Sequence, residues 1–315
     1  MLGCGTFGGI GGSTELIGRG LDETSAFAAM DEAVELGITL FDTAERYAAG
    51  GSEEMIGRWL ADRGHAVTDR VKLATKIAPP YLDGPAGRFH SAFMEDKFAG
   101  SLQRLGVDSV ELLFTHAPDD DTPIEETLEG LEAIRASGGC RSVGACNLTA
   151  TELTQALDAA DRLGIEGYLA VQNGYSLLQP DLDDDVRAIA AARGVAYTAY
   201  SPLAGGALTG KYHRGAPPPP DSRLALRPEG TDDLLTDAVH DAIDHLRDEA
   251  RDHHGVTCGA VALVWLMHHP HVAAAVIGPS RTAPHLELAQ QAVGIELSPG
   301  DHERIRAWFA NAEQR

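Results

Sequence analysis

Four side chains in the first 116 residues have types that together could move a proton to or from a carbonyl oxygen: Asp42, Tyr47, Lys76 and His116. A free phenol has a pKa of ~10, too high to exchange protons readily at neutral pH. An adjacent ammonium favours the phenolate and lowers that value, and a carboxylate holds the ammonium in place. Tyr47 is therefore expected to titrate below an ordinary tyrosine and to act as a general acid/base. A nearby histidine can donate a hydrogen bond to a carbonyl oxygen and orient it. Carbonyl reduction, or its reverse, alcohol oxidation, is the chemistry such a set serves. Singly, each residue has a plainer role: Asp42 as a helix cap, Tyr47 as a surface aromatic, Lys76 as a solvated strand end, His116 as a satisfied histidine before Pro118.

The elements that must position these groups argue for reading them together. Short apolar runs at 38–42 (ITLFD), 71–76 (VKLATK), 109–116 (SVELLFTH), 141–146, 168–172, 195–200 and 272–278 follow an opening strand at LGCG. Helical patterns separate them over 22–37, 52–63, 91–105, 124–137, 150–163, 182–193, 233–253 and 257–268. Strands that alternate with helices make a parallel sheet. An open doubly wound sheet competes, but eight such units without a composition break favour one α/β domain over 1–315, a (β/α)8 TIM barrel. Further helices near 283–293 and 299–312 are expected to finish it. In such a barrel the chemistry gathers at the C-terminal ends of the strands. Asp42, Lys76 and His116 end strands 2, 3 and 4, and Tyr47 lies in the loop just past Asp42. Three adjacent strand ends let the four side chains converge.

Composition bounds the alternatives. The formal charge is −22, so little here could neutralise nucleic-acid phosphates or an anionic membrane surface. Cys4, Cys140, Cys146 and Cys258 form no C-x-x-C pair, which fits a reducing compartment. The first basic residue is Arg19 and the longest strongly apolar stretch, 259–267, is too short to span a bilayer, so a cytoplasmic protein is expected. There are 21 arginines but only four lysines, Lys72, Lys76, Lys97 and Lys211. A chain that nearly always uses Arg keeps Lys where a planar, permanently charged fork would not serve.

Two apparent motifs are set aside. Gly3, Gly5 and Gly8 match G-x-G-x-x-G, but a Rossmann site needs a strand before it and a helix after it. Only two residues precede Gly3, and GIGGST follows Gly8, which reads as a flexible loop at a barrel mouth. The histidines at 268–271 and 253–254 lack metal-ligand spacing, so no metal is expected. Trp59, Trp265 and Trp308 read as core, and the acidic runs at 119–121 and 183–185 as solvated faces and helix starts.

FDTAERYAAGGSEEMIG, LATK, LLFTH and SPLAGGALTGKY together resemble the aldo-keto reductase superfamily, and the resemblance runs through nearly the whole chain. It implies that Tyr47 is the proton donor, that Asp42 and Lys76 tune it, and that His116 positions the substrate carbonyl. It also implies NADPH as the cofactor, held extended across the barrel mouth beside Gly5 and Thr6. Residue by residue, Cys146 and Asn147 take the place of a Ser-Asn pair that binds the nicotinamide carboxamide, and Gln172 completes that site. A thiol is the poorer hydrogen-bond donor. Tyr200 matches the aromatic stacked on the nicotinamide, and Ser201, Leu203, Gly205 and Lys211 fall in the loop folded over the pyrophosphate. GPSRTAPHLEL, with Gly278, Ser280 and Arg281, resembles the adenosine-binding loop, Arg281 meeting a 2′-phosphate. Leu288 and Ala289 stand where the family usually has a Glu and an Asn facing adenine, and the chain starts almost at strand 1, where many members first have a short hairpin.

The expected substrate is a small-molecule carbonyl. The loops at 7–21, 77–90 and 201–232 should wall the pocket with Phe7, Tyr81, Phe89 and Tyr212 but no tryptophan, which favours a sugar-like carbonyl over a steroid. Relatives that reduce carbon–carbon double bonds carry an acid where His116 stands, so carbonyl reduction is favoured. Two alternatives remain: an NAD(P)+-dependent alcohol or aldose dehydrogenase, and a non-catalytic NADPH-sensing subunit resembling the potassium-channel β subunits. Oligomeric state is not legible in the sequence.

Overall fold

The computed structural model describes residues 1–77, 89–228, 234–281 and 283–313. Its eight strands are β1 Leu2–Gly3, β2 Leu40–Asp42, β3 Lys72–Ile77, β4 Val110–Thr115, β5 Cys140–Cys146, β6 Tyr168–Gly174, β7 Ala196–Tyr200 and β8 Ala274–Val276. They form one sheet in sequence order. The strands are parallel, and β1 meets the chain just past β8 through a Leu2–Ile277 bridge, with Gly3 N–H donating to Ile277 O at 2.8 Å. This is a nearly closed (β/α)8 barrel, as the alternation of patterns predicts. The strands are short apolar runs because helices cover the sheet and leave little of it to water.

Helices follow the strands: α1 Glu23–Glu35, α2 Gly51–Arg63, α3 Ser91–Leu105, α4 Ile124–Ala136, α5 Ala150–Leu163 and α6 Asp184–Ala192, then α7 Asp237–Glu249, α8 Cys258–Met267, α9 Glu287–Ala292 and α10 Pro299–Glu313. Their ends carry local signals. Asp22 accepts from Ser25 N–H to cap α1, and Thr149 with Glu152 forms a reciprocal capping box on α5. Gly106 closes α3 at φ 67°, a left-handed conformation that favours glycine.

The chain groups into two compact units. The first is Met1–Asn173 with Asp185–Thr198 and Val276–Leu286, and it carries all four candidate catalytic residues. The second is Gly174–Asp184, Ala199–Ala275 and Glu287–Arg315. Within the second, α8 is buried from Cys258 to Leu266, and Trp265 stacks on His302 of α10 at 4.8 Å. Glu249 accepts from Arg304 at 2.8 Å, joining the end of α7 to α10. Trp59 and Trp265 are core, as expected, whereas Trp308 is half-buried and stacks on His245. Among the described residues no helix is long and apolar enough to cross a membrane, and no group of three His, Cys, Asp or Glu could hold a metal ion.

The stretch after Gly8 departs from the flexible loop expected of it. Gly8 N–H donates to Leu21 O, Gly11 N–H to Gly5 O, and Gly18 N–H to Gly8 O. Gly20 makes this possible: a Cβ there would lie 2.1 Å from the carbonyl oxygens of Thr6 and Gly9. Glycines serve here for close backbone approach rather than for mobility.

Candidate active site

Parallel register sets the site. Asp42 pairs with Ala74, two residues before Lys76, and Lys76 pairs with Phe114, two residues before His116. Past Asp42 the chain turns through residues 47–50, with Ala48 and Ala49 at φ 51° and 54°, and returns Tyr47 over the strand ends. The tight return brings Tyr47 to Lys76 and His116.

Lys76 lies at the centre. Its Nζ donates to Asp42 Oδ2 at 2.6 Å, to Thr43 O at 2.9 Å and to the Tyr47 hydroxyl at 3.3 Å. The Lys76 and Asp42 side chains are 1% and 2% exposed, so the pair is stable only because charge and hydrogen bonds are both matched. An ammonium has three donors on a tetrahedral centre, and all three are engaged here. Burial acts against the charged Lys76, yet Asp42 and its neighbours raise its pKa well above the usual lysine value.

Since Lys76 donates to it, the Tyr47 oxygen is an acceptor in that bond. Its own proton has no acceptor among the described residues, so it can be given away. The expected lowering of the Tyr47 pKa is overturned. Burial pushes the phenol up to about 12; Lys76 opposes this, but Asp42 partly cancels Lys76. The expectation counted the ammonium and left out the cost of ionising a phenol away from water.

His116 faces Tyr47 edge-on, ring centroids 5.7 Å apart. Burial, with Lys76 and Arg46 nearby, depresses its pKa to about 3, so the ring is neutral and carries one N–H. Its Nδ1 is buried without a hydrogen-bond partner among the described residues.

The cofactor candidates fall in both units. In the first, Gln172 is buried and its Nε2 donates to Asp42 Oδ1 at 2.9 Å, so it completes the carboxylate's contacts. Sequence reading assigned it to the carboxamide and missed this bond. Asn147, at φ 61°, donates through Nδ2 to His116 O at 3.0 Å. Cys146 is 1% exposed, packs with Ala74, Phe114 and Ala170, and its thiol is pushed far up by burial. Gly5 lies against Tyr47: a Cβ there would be 3.6 Å from its ring. Thr6 Oγ1 is a second buried polar atom without a partner among the described residues. Ser280 is tied to its own loop, Oγ donating to Pro284 O at 3.0 Å, while Arg281 is exposed and a Cβ at Gly278 would meet nothing within 4 Å.

In the second unit, Tyr175 N–H donates to Tyr200 O, and Gly174 lies against the Tyr200 ring. Ser201 sits at φ 54°, and a turn over 204–209 follows Leu203, with Gly205 and Gly206 at positive φ and Lys211 exposed beside Gly206. Tyr212 does not wall a pocket: it is 3% exposed and its hydroxyl donates to Gly205 O at 3.1 Å. Phe7 and Phe89 are likewise buried, and Tyr81 lies outside the described residues. The Tyr212 hydroxyl serves to fix its own loop.

Behind the strand ends stand residues that sequence reading quoted but did not use. Ser52 Oγ donates to Cys4 O at 2.9 Å and meets Thr43 Oγ1 at 2.9 Å. Glu53, fully buried, accepts from Thr75 Oγ1 at 2.5 Å and Arg104 Nε at 2.7 Å. One turn of α2 thus holds the residues next to Asp42 and Lys76. Glu45, between Asp42 and Tyr47, is buried, its Oε1 has no partner among the described residues, and burial raises its pKa to about 7. The spacing Ser-Glu-Glu at a helix start was the available signal.

A nicotinamide cofactor fits these residues: buried polar atoms at Thr6 and His116 without a partner among the described residues, a glycine against Tyr47, and an open Gly278 next to Ser280 and Arg281 all lie in the first unit.

Comparisons with known proteins agree with this geometry. Residues 1–309 match the family model described as the aldo/keto reductase family. The chain is 33% identical over 296 residues to a probable voltage-gated potassium channel subunit beta of Arabidopsis thaliana, covering 91% of this chain and 87% of that one. It is 31% identical over 296 residues to an L-glyceraldehyde 3-phosphate reductase of Escherichia coli, covering 91% and 84%. A solved glycerol dehydrogenase from Gluconobacter oxydans superposes with a TM-score of 0.81 at 23% identity, covering all of this chain and 92% of the other, a likeness of fold.

Proposed function

The chain belongs to the aldo/keto reductase family of oxidoreductases, and from that premise we propose that it reduces an aldehyde or ketone to the alcohol with NADPH, Tyr47 giving the proton. The observation that carries this reading is the Tyr47 hydroxyl, which accepts from Lys76 while its own proton, beside His116, has no acceptor among the described residues. When bound, the reduced nicotinamide supplies a hydride to the carbonyl carbon.

The chain's own residues do the rest. The neutral His116 donates its single N–H to the carbonyl oxygen and orients it. Tyr47 passes its proton to that oxygen as negative charge develops there. Lys76, already donating to the Tyr47 oxygen, stabilises the phenolate left behind, and Asp42 with Gln172 holds Lys76 in place. A phenol pushed up to about 12 stays protonated through the working range, so its proton is present, and the Lys76 bond to its oxygen lowers the cost of giving it up. Alcohol oxidation uses the same groups in reverse and needs the phenolate, so its rate should rise with pH while reduction stays flat.

Asn147 and Gln172 are assigned to the carboxamide, with Cys146 behind them as packing. Gly278, Ser280 and Arg281 are assigned to the adenosine end, Arg281 to a 2′-phosphate. For Tyr200, Ser201, Leu203, Gly205 and Lys211 the support is the resemblance of their motif and the folded turn that carries it. A sugar-like substrate is supported by the absence of an exposed aromatic among Phe7, Phe89 and Tyr212, and by the relative named for an aldehyde of that kind.

The test is loss of reduced-nicotinamide absorbance with a panel of aldehydes, ketones and sugars, run with NADPH and with NADH. We expect turnover that prefers NADPH, and a fall in kcat of about 10³-fold in Tyr47→Phe with cofactor affinity unchanged. A similarity to potassium-channel β subunits favours a second reading. Tight NADPH binding without turnover on any carbonyl would replace the enzyme by a sensor.

A further inference from the structure

The loop from Ser280 to Leu286 is fastened to α1, 253 residues earlier in the chain. Both carboxylate oxygens of Glu32 are used: His285 N–H donates to Oε2 at 2.7 Å and Leu286 N–H to Oε1 at 2.8 Å. His285 then closes the loop from inside. Its Nδ1 lies 2.9 Å from Ser280 O, and Ser280 N–H donates to His285 O at 2.8 Å. His285 is 6% exposed, while Ser280 and Arg281 are exposed. One side chain therefore holds two consecutive amides at the base of the turn, and the residue between Glu32 and the turn pins its other arm.

We propose that Glu32, acting through His285, is a positioning residue for the cofactor's 2′-phosphate, fixing the backbone from which Arg281 presents its guanidinium. This rests on the NADPH reading above. An arginine fork recognises a phosphate by direction as well as by charge, so its contribution depends on where its Cα is held. Without a fixed base the turn must be ordered at the moment of binding, and the entropy of ordering is subtracted from the affinity. A charge-assisted bond from a carboxylate to backbone N–H is roughly twice as strong as a neutral one, and here there are two on one group. NADH carries a neutral hydroxyl at the 2′ position and no phosphate for Arg281 to meet, so the clamp should bear chiefly on NADPH. Leu288 and Ala289, which offer adenine no polar group, leave discrimination more dependent on the turn.

The experiment is a fluorescence titration of NADPH, NADH and 2′,5′-ADP against the full chain and the variants Glu32→Ala, Glu32→Gln and Arg281→Ala, with hydrogen exchange followed at Leu286. For Glu32→Ala we expect NADPH and 2′,5′-ADP to bind about tenfold more weakly, NADH to change less than twofold, and the Leu286 amide to exchange faster. Glu32→Gln, which keeps one acceptor, should lie between. Equal losses for NADPH and NADH would mark Glu32 as merely structural and overturn the proposal, as would unchanged NADPH affinity in Glu32→Ala beside a loss in Arg281→Ala. That last pattern leaves the NADPH reading standing. Wild-type protein that binds NADPH and NADH equally would instead sink the NADPH reading itself, and the clamp's role with it.

Discussion

Lys76 directs its donors at a carboxylate, a carbonyl and the phenol it serves, a division that Arg's planar fork could not reproduce. Burial decides the titration of its neighbours: it holds Tyr47 protonated and His116 neutral. For His116 the folded pKa lies below the unfolded value, so acidification below about pH 6.5 favours the unfolded chain, which binds the proton first. Glu45 has the opposite sign. Its folded pKa, about 7, is above the unfolded 4.5, so its contribution is complete below pH 4.5 and is lost as pH rises to 7. Glu45→Gln should therefore be more stable than the parent at pH 8, by about 2 kcal/mol after discounting for partial hydration. At pH 4 the two should be equal. Urea unfolding at both values checks this, and an equal gap at pH 4 and pH 8 would show that Glu45 is not the titrating group.

At the scale of elements, the first turn of α2 binds the C-terminal ends of three strands together. Ser52 reaches Cys4 after β1 and Thr43 after β2, and Glu53 reaches Thr75 in β3 and Arg104 in α3. Strand ends in a barrel are where catalytic side chains begin, so this turn sets the distances between them. Glu53→Gln keeps one acceptor and removes the charge opposite Arg104. Arg104 is 28% exposed and can regain water, so the expected loss of stability is moderate, about 2 kcal/mol. Carbonyl reduction should slow about tenfold through kcat, with NADPH affinity within twofold, because Lys76 shifts and the cofactor residues do not. Steady-state kinetics paired with a cofactor titration measures both, and an effect on KM alone would place Glu53 outside the catalytic geometry.

For the whole molecule the governing quantity is the charge of −22. The proposed cofactor, NADPH, is itself a polyanion, so its approach would be opposed by the protein's long-range field, whatever local groups bind it. Salt screens that repulsion over a Debye length of about 8 Å at physiological ionic strength. Association rates for NADPH should therefore rise severalfold between about 10 mM and 150 mM salt, measured by stopped-flow fluorescence quenching. A rate that falls with salt would mean that a local basic patch governs the encounter instead of the global field.

The sequence by itself determined the barrel, because eight apolar runs alternating with helical patterns leave a parallel sheet few arrangements, and register then follows the order of the chain. It also placed Asp42, Lys76 and His116 within one residue of successive strand ends, since the stop of an apolar run marks where a strand finishes. The titration of Tyr47 was decided by tertiary structure: the sequence shows the ammonium but not the loss of water that outweighs it. Tyr212, Phe7 and Phe89 were read as pocket wall and are buried, because which way an aromatic in a loop turns depends on chains it meets later. Gln172 on Asp42 and Glu32 on the loop at 280–286 join residues more than a hundred positions apart. Local pattern carries burial and period; it carries no record of which distant donor a buried carboxylate will find.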